Sequence, residues 1–146
     1  MRWIATRTIA APSERVFRAV ADPDESQRAI PEASPPEFLT ERRSGVGTKF
    51  RATRTSKGKT QSFDMEVTEL VPGDRVRIVN VTHGTLWDSV MSVRPDGGGQ
   101  TVLTLTMDAV DERLFPRLMM RVIRGMVQKA LEKDMSAIKE YCERGS

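Results

Sequence analysis

The sequence predicts an α+β fold, with a curved antiparallel sheet of about seven strands around a long C-terminal helix and two short helices after the first strand. Three observations predict it. Short strand-like segments joined by tight glycine-containing turns fill the middle of the chain, as in an antiparallel meander. From about residue 112 the apolar residues switch to the 3.6-residue period of a helix. The chain has 146 residues, 38% hydrophobic and 29% charged, the size and composition of a single soluble domain. At that length roughly 68–70% of the unfolded surface can be buried, so folding needs neither metal nor disulfide.

Residues 2–9 alternate weakly and suit a strand. Pro12 can open a helix, because its missing N–H would be unpaired there anyway. Val16, Phe17, Val20 and Ala21 fall at helical spacing, which gives a short helix over about 12–21. Asp22-Pro23-Asp24 interrupts it, and a second short helix over about 24–30 stops before Pro31. Pro35 and Pro36 mark a loop, followed by a short strand from Phe38 to Glu41 and a turn at Gly45-Val46-Gly47. Strands over 48–55 and 60–70 flank a hairpin turn at Ser56-Lys57-Gly58-Lys59. Pro72-Gly73-Asp74 turns the chain into strands 75–82 and 85–94, linked at His83-Gly84. A last hairpin turn at Asp96-Gly97-Gly98-Gly99 leads into strand 101–110.

The final element spans about 112–142. Its stripe is Phe115, Leu118, Met119, Val122, Ile123, Met126, Val127, Ala130, Leu131, Ile138 and Cys142. Asp111 suits an N-cap. Pro116 is tolerated only near a first turn, so the helix starts at Phe115 or carries a kink there. Such a helix is about 40–45 Å long and must lie along the sheet to hide its stripe.

Alternation assigns one face of each strand to that helix. The inward sets are Phe50, Ala52 and Arg54; Phe63, Met65 and Val67; Val76, Ile78, Asn80 and Thr82; Trp87, Ser89, Met91 and Val93; and Leu103, Leu105, Met107 and Ala109. They are rich in methionine and aromatic residues, yet they include the polar side chains Arg54, Asn80, Thr82 and Ser89. A dry core rarely holds four unpartnered polar groups, whereas an apolar wall with a few polar groups is typical of a small-molecule pocket. Methionine adapts to varied ligand shapes. The candidate ligand-binding residues are therefore Phe50, Arg54, Phe63, Met65, Asn80, Trp87, Ser89, Met91, Leu105 and Met107 on the sheet, with Met119, Ile123 and Met126 on the helix. The same stripe also reads as plain core, with Arg54 and Thr82 turned to water at strand ends.

Four stretches carry a resemblance. They are Ile9-Ala10-Ala11-Pro12-Ser13-Glu14-Arg15-Val16-Phe17 with Ala21-Asp22-Pro23; Gly45-Val46-Gly47-Thr48-Lys49-Phe50; Val67-Thr68-Glu69-Leu70-Val71-Pro72-Gly73-Asp74-Arg75-Val76; and Gly98-Gly99-Gln100-Thr101-Val102-Leu103-Thr104-Leu105-Thr106-Met107. Their order and spacing resemble the START-like (SRPBCC) superfamily, the helix-grip fold, and within it the polyketide cyclase/dehydrase group. The resemblance covers nearly the whole chain. It implies a cavity for a hydrophobic molecule between helix and sheet. It does not imply an activity, because the superfamily includes carriers, receptors, co-chaperone domains and cyclases. No cofactor is expected, and no catalytic residues are carried over.

Other chemistries find little support. His83 is the single histidine and sits at a turn, where a solvated role is the ordinary one. It has no second histidine for a metal site, and the acidic residues lack metal-ligand spacing. Ser89 has only His83 to serve it, which makes no argument for a Ser-His-Asp set. Cys142 lies on the helical stripe as a buried structural thiol. Gly97-Gly98-Gly99 leads into a strand, so it is not a phosphate loop. One cysteine, no apolar leader at the N-terminus and no apolar run of membrane-spanning length give the expectation of a cytoplasmic protein.

Net charge is +3, a mild value. Between Glu41 and Asp64 stand Arg42, Arg43, Lys49, Arg51, Arg54, Lys57 and Lys59 with no acid, and Arg113, Arg117, Arg121 and Arg124 recur on the early helix. A solvated face is the plain reading. The weaker second reading is an interaction domain whose basic face meets an anionic membrane surface, RNA or a protein partner. Few aromatics interleave, so base stacking on nucleic acid has little support. If the chain is an enzyme, Arg54 and Asn80 are the first candidates to contact a carbonyl or enolate, with Trp87 as an aromatic wall.

Overall fold

A computed structural model describes residues 1–82, 84–111 and 117–144. Strand β1 (Arg2–Ile9) leads into helices α1 (Ser13–Ala21) and α2 (Pro23–Ala29). Strands β2 (Glu37–Phe38), β3 (Lys49–Ser56), β4 (Lys59–Val71), β5 (Arg75–Thr82), β6 (Thr85–Pro95) and β7 (Thr101–Asp111) follow, and then helix α3 (Arg117–Glu143). All seven strands form one antiparallel sheet in the order β1-β7-β6-β5-β4-β3-β2. The fold class is the expected one.

Local chemistry sets the element boundaries. Asp22-Pro23 ends one helix and starts the next: the Asp22 carboxylate accepts the Asp24 N–H at 3.0 Å, with Pro23 in the first turn. The β3–β4 hairpin turns through Lys57 and Gly58 at φ 52° and 76°, the paired positive values of a type I′ turn. Strand β2 is shorter than expected. Beyond Phe38 the backbone makes one more bond, Leu39 N–H to the Lys49 carbonyl at 2.8 Å, and the Thr40 hydroxyl then takes the Lys49 N–H at 3.2 Å in place of a carbonyl. Asp111, expected to cap the helix, is instead the last residue of β7, paired with Thr85. Phe115 and Pro116 lie outside the described residues, as do Arg113 and His83.

Helix α3 is 27 residues long, about 40 Å at 1.5 Å per residue, and it is fastened to both flanks of the sheet. On the β1 flank, the edge carbonyls that face no strand are met by side chains. Arg124 donates to the Arg2 carbonyl at 3.1 Å, Gln128 to that of Ile4 at 3.2 Å and Lys139 to that of Thr8 at 2.8 Å. Arg7 adds bonds to the Glu132 side chain and carbonyl at 2.9 and 3.0 Å. At the helix end, Glu143 accepts the Ala10 N–H at 2.8 Å. On the opposite flank, residues 32–34 run along β3 through Ser34 N–H to Thr53 O and Thr55 N–H to Glu32 O, both 2.9 Å. Helix α3 reaches this flank through Lys133–Glu32 at 2.7 Å and Arg54–Asp134 at 2.9 Å.

Between the flanks the core is uneven. Ile9, Val16, Val67, Leu103 and Met135 are fully buried. Trp3 is 2% exposed, donates its indole N–H to the Arg124 carbonyl at 3.0 Å, and stacks on Trp87 at 5.8 Å between centroids. It joins β1, β6 and α3 at one point. Trp3→Ala therefore lowers the unfolding free energy by about 3–5 kcal/mol, read from urea denaturation at neutral pH. A loss below about 1 kcal/mol would show that this joint carries little of the packing.

Candidate functional site

The inward face of the sheet is laid out in rows by strand register. Phe50, Met65, Asn80 and Trp87 pair in sequence across β3, β4, β5 and β6. The next row runs Val67, Ile78, Ser89 and Met107, and the one after it Val76, Met91 and Leu105. Toward the other end of β3 stand the pairs Ala52–Phe63 and Arg54–Gln61. Register slips between Val67 and Glu69. This bulge adds one residue to β4, so Leu70 faces Val76 and the inward parity is restored beyond it.

Above these rows, α3 presents Val127, Leu131, Asp134 and Ile138, spaced four, three and four residues apart on one face. A cavity of about 440 Å³ lies between them and the sheet, bounded on a third side by Val20 of α1, Ser26 and Gln27 of α2, and Ile30 just after it. This volume is within the roughly 300–1,000 Å³ usual for small-molecule pockets.

Ten of the thirteen residues chosen from sequence line this cavity: Phe50, Arg54, Phe63, Met65, Asn80, Trp87, Ser89, Met91, Leu105 and Met107. Thr82 lines it too, and its hydroxyl accepts from the Asn80 amide at 2.7 Å. Arg54 faces the cavity and α3 rather than water alone. Met119, Ile123 and Met126 do not line it, and Met119 and Met126 are 47% and 67% exposed. The reason is reach: the apolar stripe begins well before Val127, the first α3 residue on the cavity.

Sequence reasoning missed four polar residues of the lining: Ser26, Gln27, Gln61 and Asp134. Gln61 shares the parity of Phe63, which was available as a signal. Asp134 sits at a stripe position, three residues after Leu131 and four before Ile138. An acid on an apolar stripe points to a buried partner, and that partner is Arg54.

The Arg54–Asp134 pair is the dominant electrostatic feature of the cavity. The guanidinium meets both carboxylate oxygens, at 3.1 and 2.9 Å, with side chains 35% and 21% exposed. Burial raises the Asp134 carboxyl above its ordinary value, outweighing the downward pull of Arg54. Glu32 adds a small upward push and Lys133 a small downward one.

The remaining candidates resolve simply. Cys142 is fully buried, and burial raises its thiol pKa, the setting of an inert thiol. Among the described residues no group of three or more His, Cys, Asp or Glu is placed to hold a metal ion. No described helix is long and apolar enough to cross a membrane. Three of the seven basic residues of the 42–59 stretch are ion-paired: Arg54 with Asp134, Arg51 with Asp64, its register partner, at 2.9 Å and with Glu37 at 3.4 Å, and Arg43 with Asp24 at 3.5 Å while lying over the Phe38 ring.

With sheet, helix and cavity in place, the chain belongs to the helix-grip class, the START-like (SRPBCC) superfamily. More narrowly, it is a member of the polyketide cyclase/dehydrase and lipid transport family, whose family model matches residues 4–143. No curated protein sequence matches the chain. Solved structures similar to it include TTHA0849 from Thermus thermophilus, with 22% identity, TM-score 0.78 and coverage of 100% of this chain and 99% of that one. The Zhui aromatase/cyclase from Streptomyces sp. R1128 has 19% identity, TM-score 0.80 and coverage of 99% and 94%. A START superfamily protein from Mycobacterium smegmatis has 18% identity, TM-score 0.78 and coverage of 99% of both chains. At these identities the likeness establishes the fold alone.

The raised Asp134 pKa carries a sign for stability. The folded state holds this proton more tightly than the unfolded chain does. The carboxyl's contribution to stability is therefore greatest in acid and declines as pH rises through the raised value. Urea unfolding across that window should show wild type losing stability relative to Asp134→Asn as pH rises. A difference that is flat or grows in favour of wild type would place the carboxyl in a solvated or dominantly ion-paired state.

Proposed function

We propose that this chain binds a hydrophobic small molecule, lipid or aromatic polyketide in character, within the cavity between α3 and the sheet, as a carrier or binding protein. The observation that carries this reading is the cavity itself: about 440 Å³ walled by Phe50, Phe63, Met65, Trp87, Met91 and Met107. Burying an apolar ligand of that size removes its surface from water at about 25 cal/mol per Å². Polar groups at a few fixed places then orient it. The family's breadth, cyclases and dehydrases beside lipid transport, supports a pocket in common rather than one reaction.

A second reading is a cyclase or dehydratase that uses the same cavity, and the Arg54–Asp134 pair favours it. Arg54 would hold a carbonyl oxygen and stabilise the enolate that forms when Asp134 takes the adjacent α-proton. The enolate carbon would attack a second carbonyl of the same chain, forming the ring C–C bond and an alkoxide, to which Asp134 would return its proton to give a hydroxyl. In the dehydration Asp134 would remove the remaining α-proton and pass it to the departing hydroxyl, which leaves as water as the C=C bond forms. A carboxyl whose pKa burial has raised is a better proton acceptor than an ordinary carboxylate, and an enclosed apolar wall would hold the reactive chain in one fold.

Native mass spectrometry of the purified protein, followed by denaturing extraction, tests the binding reading. The expected result is a co-purified apolar compound, or else a clear thermal stabilisation by members of a panel of fatty acids, sterols and aromatic polyketides. An empty protein that gains no stability from any of them contradicts it. Arg54→Ala and Asn80→Ala should each weaken ligand affinity by about tenfold, the cost of about one charged or polar contact. Unchanged affinity and unchanged turnover in both variants would remove these residues from the site.

A further inference from the structure

The first half of α3 carries apolar side chains on the side that faces water. Leu118, Met119, Val122 and Met126 are 74%, 47%, 56% and 67% exposed. At about 100° per residue they fall within one arc of about 100°. Val127 and Leu131, which line the cavity, fall on the opposite side of the helix. A helix packed on a sheet ordinarily turns polar residues outward, and the second half of α3 does so. Ser136 and Glu140 stand about five turns after Leu118 and Val122 on the same line, and both are exposed, as is Lys133. The first half is apolar on both sides.

The charge of this outer face has one sign. Between Leu118 and Leu131 the helix carries Arg121, Arg124 and Lys129 and no acid, and the first acid after them, Glu132, is tied to Arg7 at 2.9 Å. Arg124 is turned toward β1, where it donates to the Arg2 carbonyl. Arg121 and Lys129 are exposed, and neither has an ion pair among the described residues. Arg121 flanks the apolar arc, and Lys129 closes it at its C-terminal end. Val127, next to Met126, is the first α3 residue on the cavity.

We propose that the outer face of the first half of α3 docks on an anionic membrane surface, with Leu118, Met119, Val122 and Met126 entering the boundary between headgroups and acyl chains and Arg121 and Lys129 meeting lipid phosphates. Such an interface buries exposed apolar side chains, and its negative potential draws the unpaired cations that border them. Docking there brings the cavity to the compartment where apolar molecules concentrate. A second copy of the chain fits the face less well. Packing across a two-fold axis pairs the face with itself and sets cations against cations with no acid between them. The proposal concerns the outside of the helix and stands apart from what the cavity binds.

Flotation with vesicles of equal parts phosphatidylglycerol and phosphatidylcholine, and with phosphatidylcholine alone, measures the binding of wild type, Val122→Gln/Met126→Gln and Arg121→Gln/Lys129→Gln. All four positions are exposed and none lines the cavity, and thermal melts confirm that each variant is folded. Wild type should bind the mixed vesicles about tenfold or more tightly than phosphatidylcholine alone. On the mixed vesicles the first variant should lose about tenfold in affinity through lost apolar burial. The second should lose about tenfold or more through the loss of two cations. No binding of wild type to the mixed vesicles, or unchanged binding in either variant, would overturn the proposal. Light scattering without vesicles checks the other occupant. A monomer is expected, and a dimer that Val122→Gln/Met126→Gln separates would assign the face to a second copy and overturn the proposal as well. Each of these failures leaves the cavity reading intact, because the substituted residues lie outside the cavity.

Discussion

The architecture depends on how α3 is held. It is fastened to one flank of the sheet by side chains that meet β1 carbonyls and to the other by Lys133–Glu32 and Arg54–Asp134. A helix fixed at both flanks of a sheet that curves away beneath it cannot settle onto the middle strands. Side chains such as Trp3 and Met135, both buried, fill the space to either side. Over β4, β5 and β6 the separation stays open, and the cavity is what remains. The same bonds protect the exposed edge of β1 from pairing with another chain, so a single set of contacts serves both solubility and the pocket.

Much of this was legible in the sequence because strand parity is rigid. Each inward set read from alternation falls on the cavity or the buried core, including the polar members Arg54, Asn80, Thr82 and Ser89. The bulge in β4 falls beyond Val67, the last residue of its inward set, and so did not disturb that assignment. Helical periodicity was less informative. It gives the apolar face of α3 but not where along the helix the cavity begins, and so it overextended the site to Met119, Ile123 and Met126. The α2 contribution was not legible at all. Seven residues of mixed composition, Pro23–Ala29, show no stripe, so nothing in their spacing marks Ser26 and Gln27 as cavity residues. The Asp134 partner likewise lies 80 residues from it, a pairing that only the folded topology brings together.

The polar groups of the cavity are unevenly provided for. Asn80 is hydrogen-bonded to Thr82 and Arg54 is paired with Asp134, whereas the Gln27 carbonyl has no partner among the described residues. So few polar side chains on an otherwise apolar wall explain why membership of the family does not name a reaction. The sheet and helix set the volume, and a few side chains on α2, β3, β5 and α3 decide what the volume accepts and whether chemistry follows.

The eight methionines offer the most direct measurement of the central claim, that the space between α3 and the sheet is where a ligand sits. Met65, Met91 and Met107 line the cavity, Met135 is sealed in the core, and Met119 and Met126 are exposed on α3. Methyl NMR of ¹³C-methionine-labelled protein, titrated with phenanthrol, reads all of these sites at once. The account predicts saturable shifts at Met65, Met91 and Met107, with Met119 and Met126 unmoved. Shifts confined to Met119 and Met126 would place binding on the outer helix surface and contradict it.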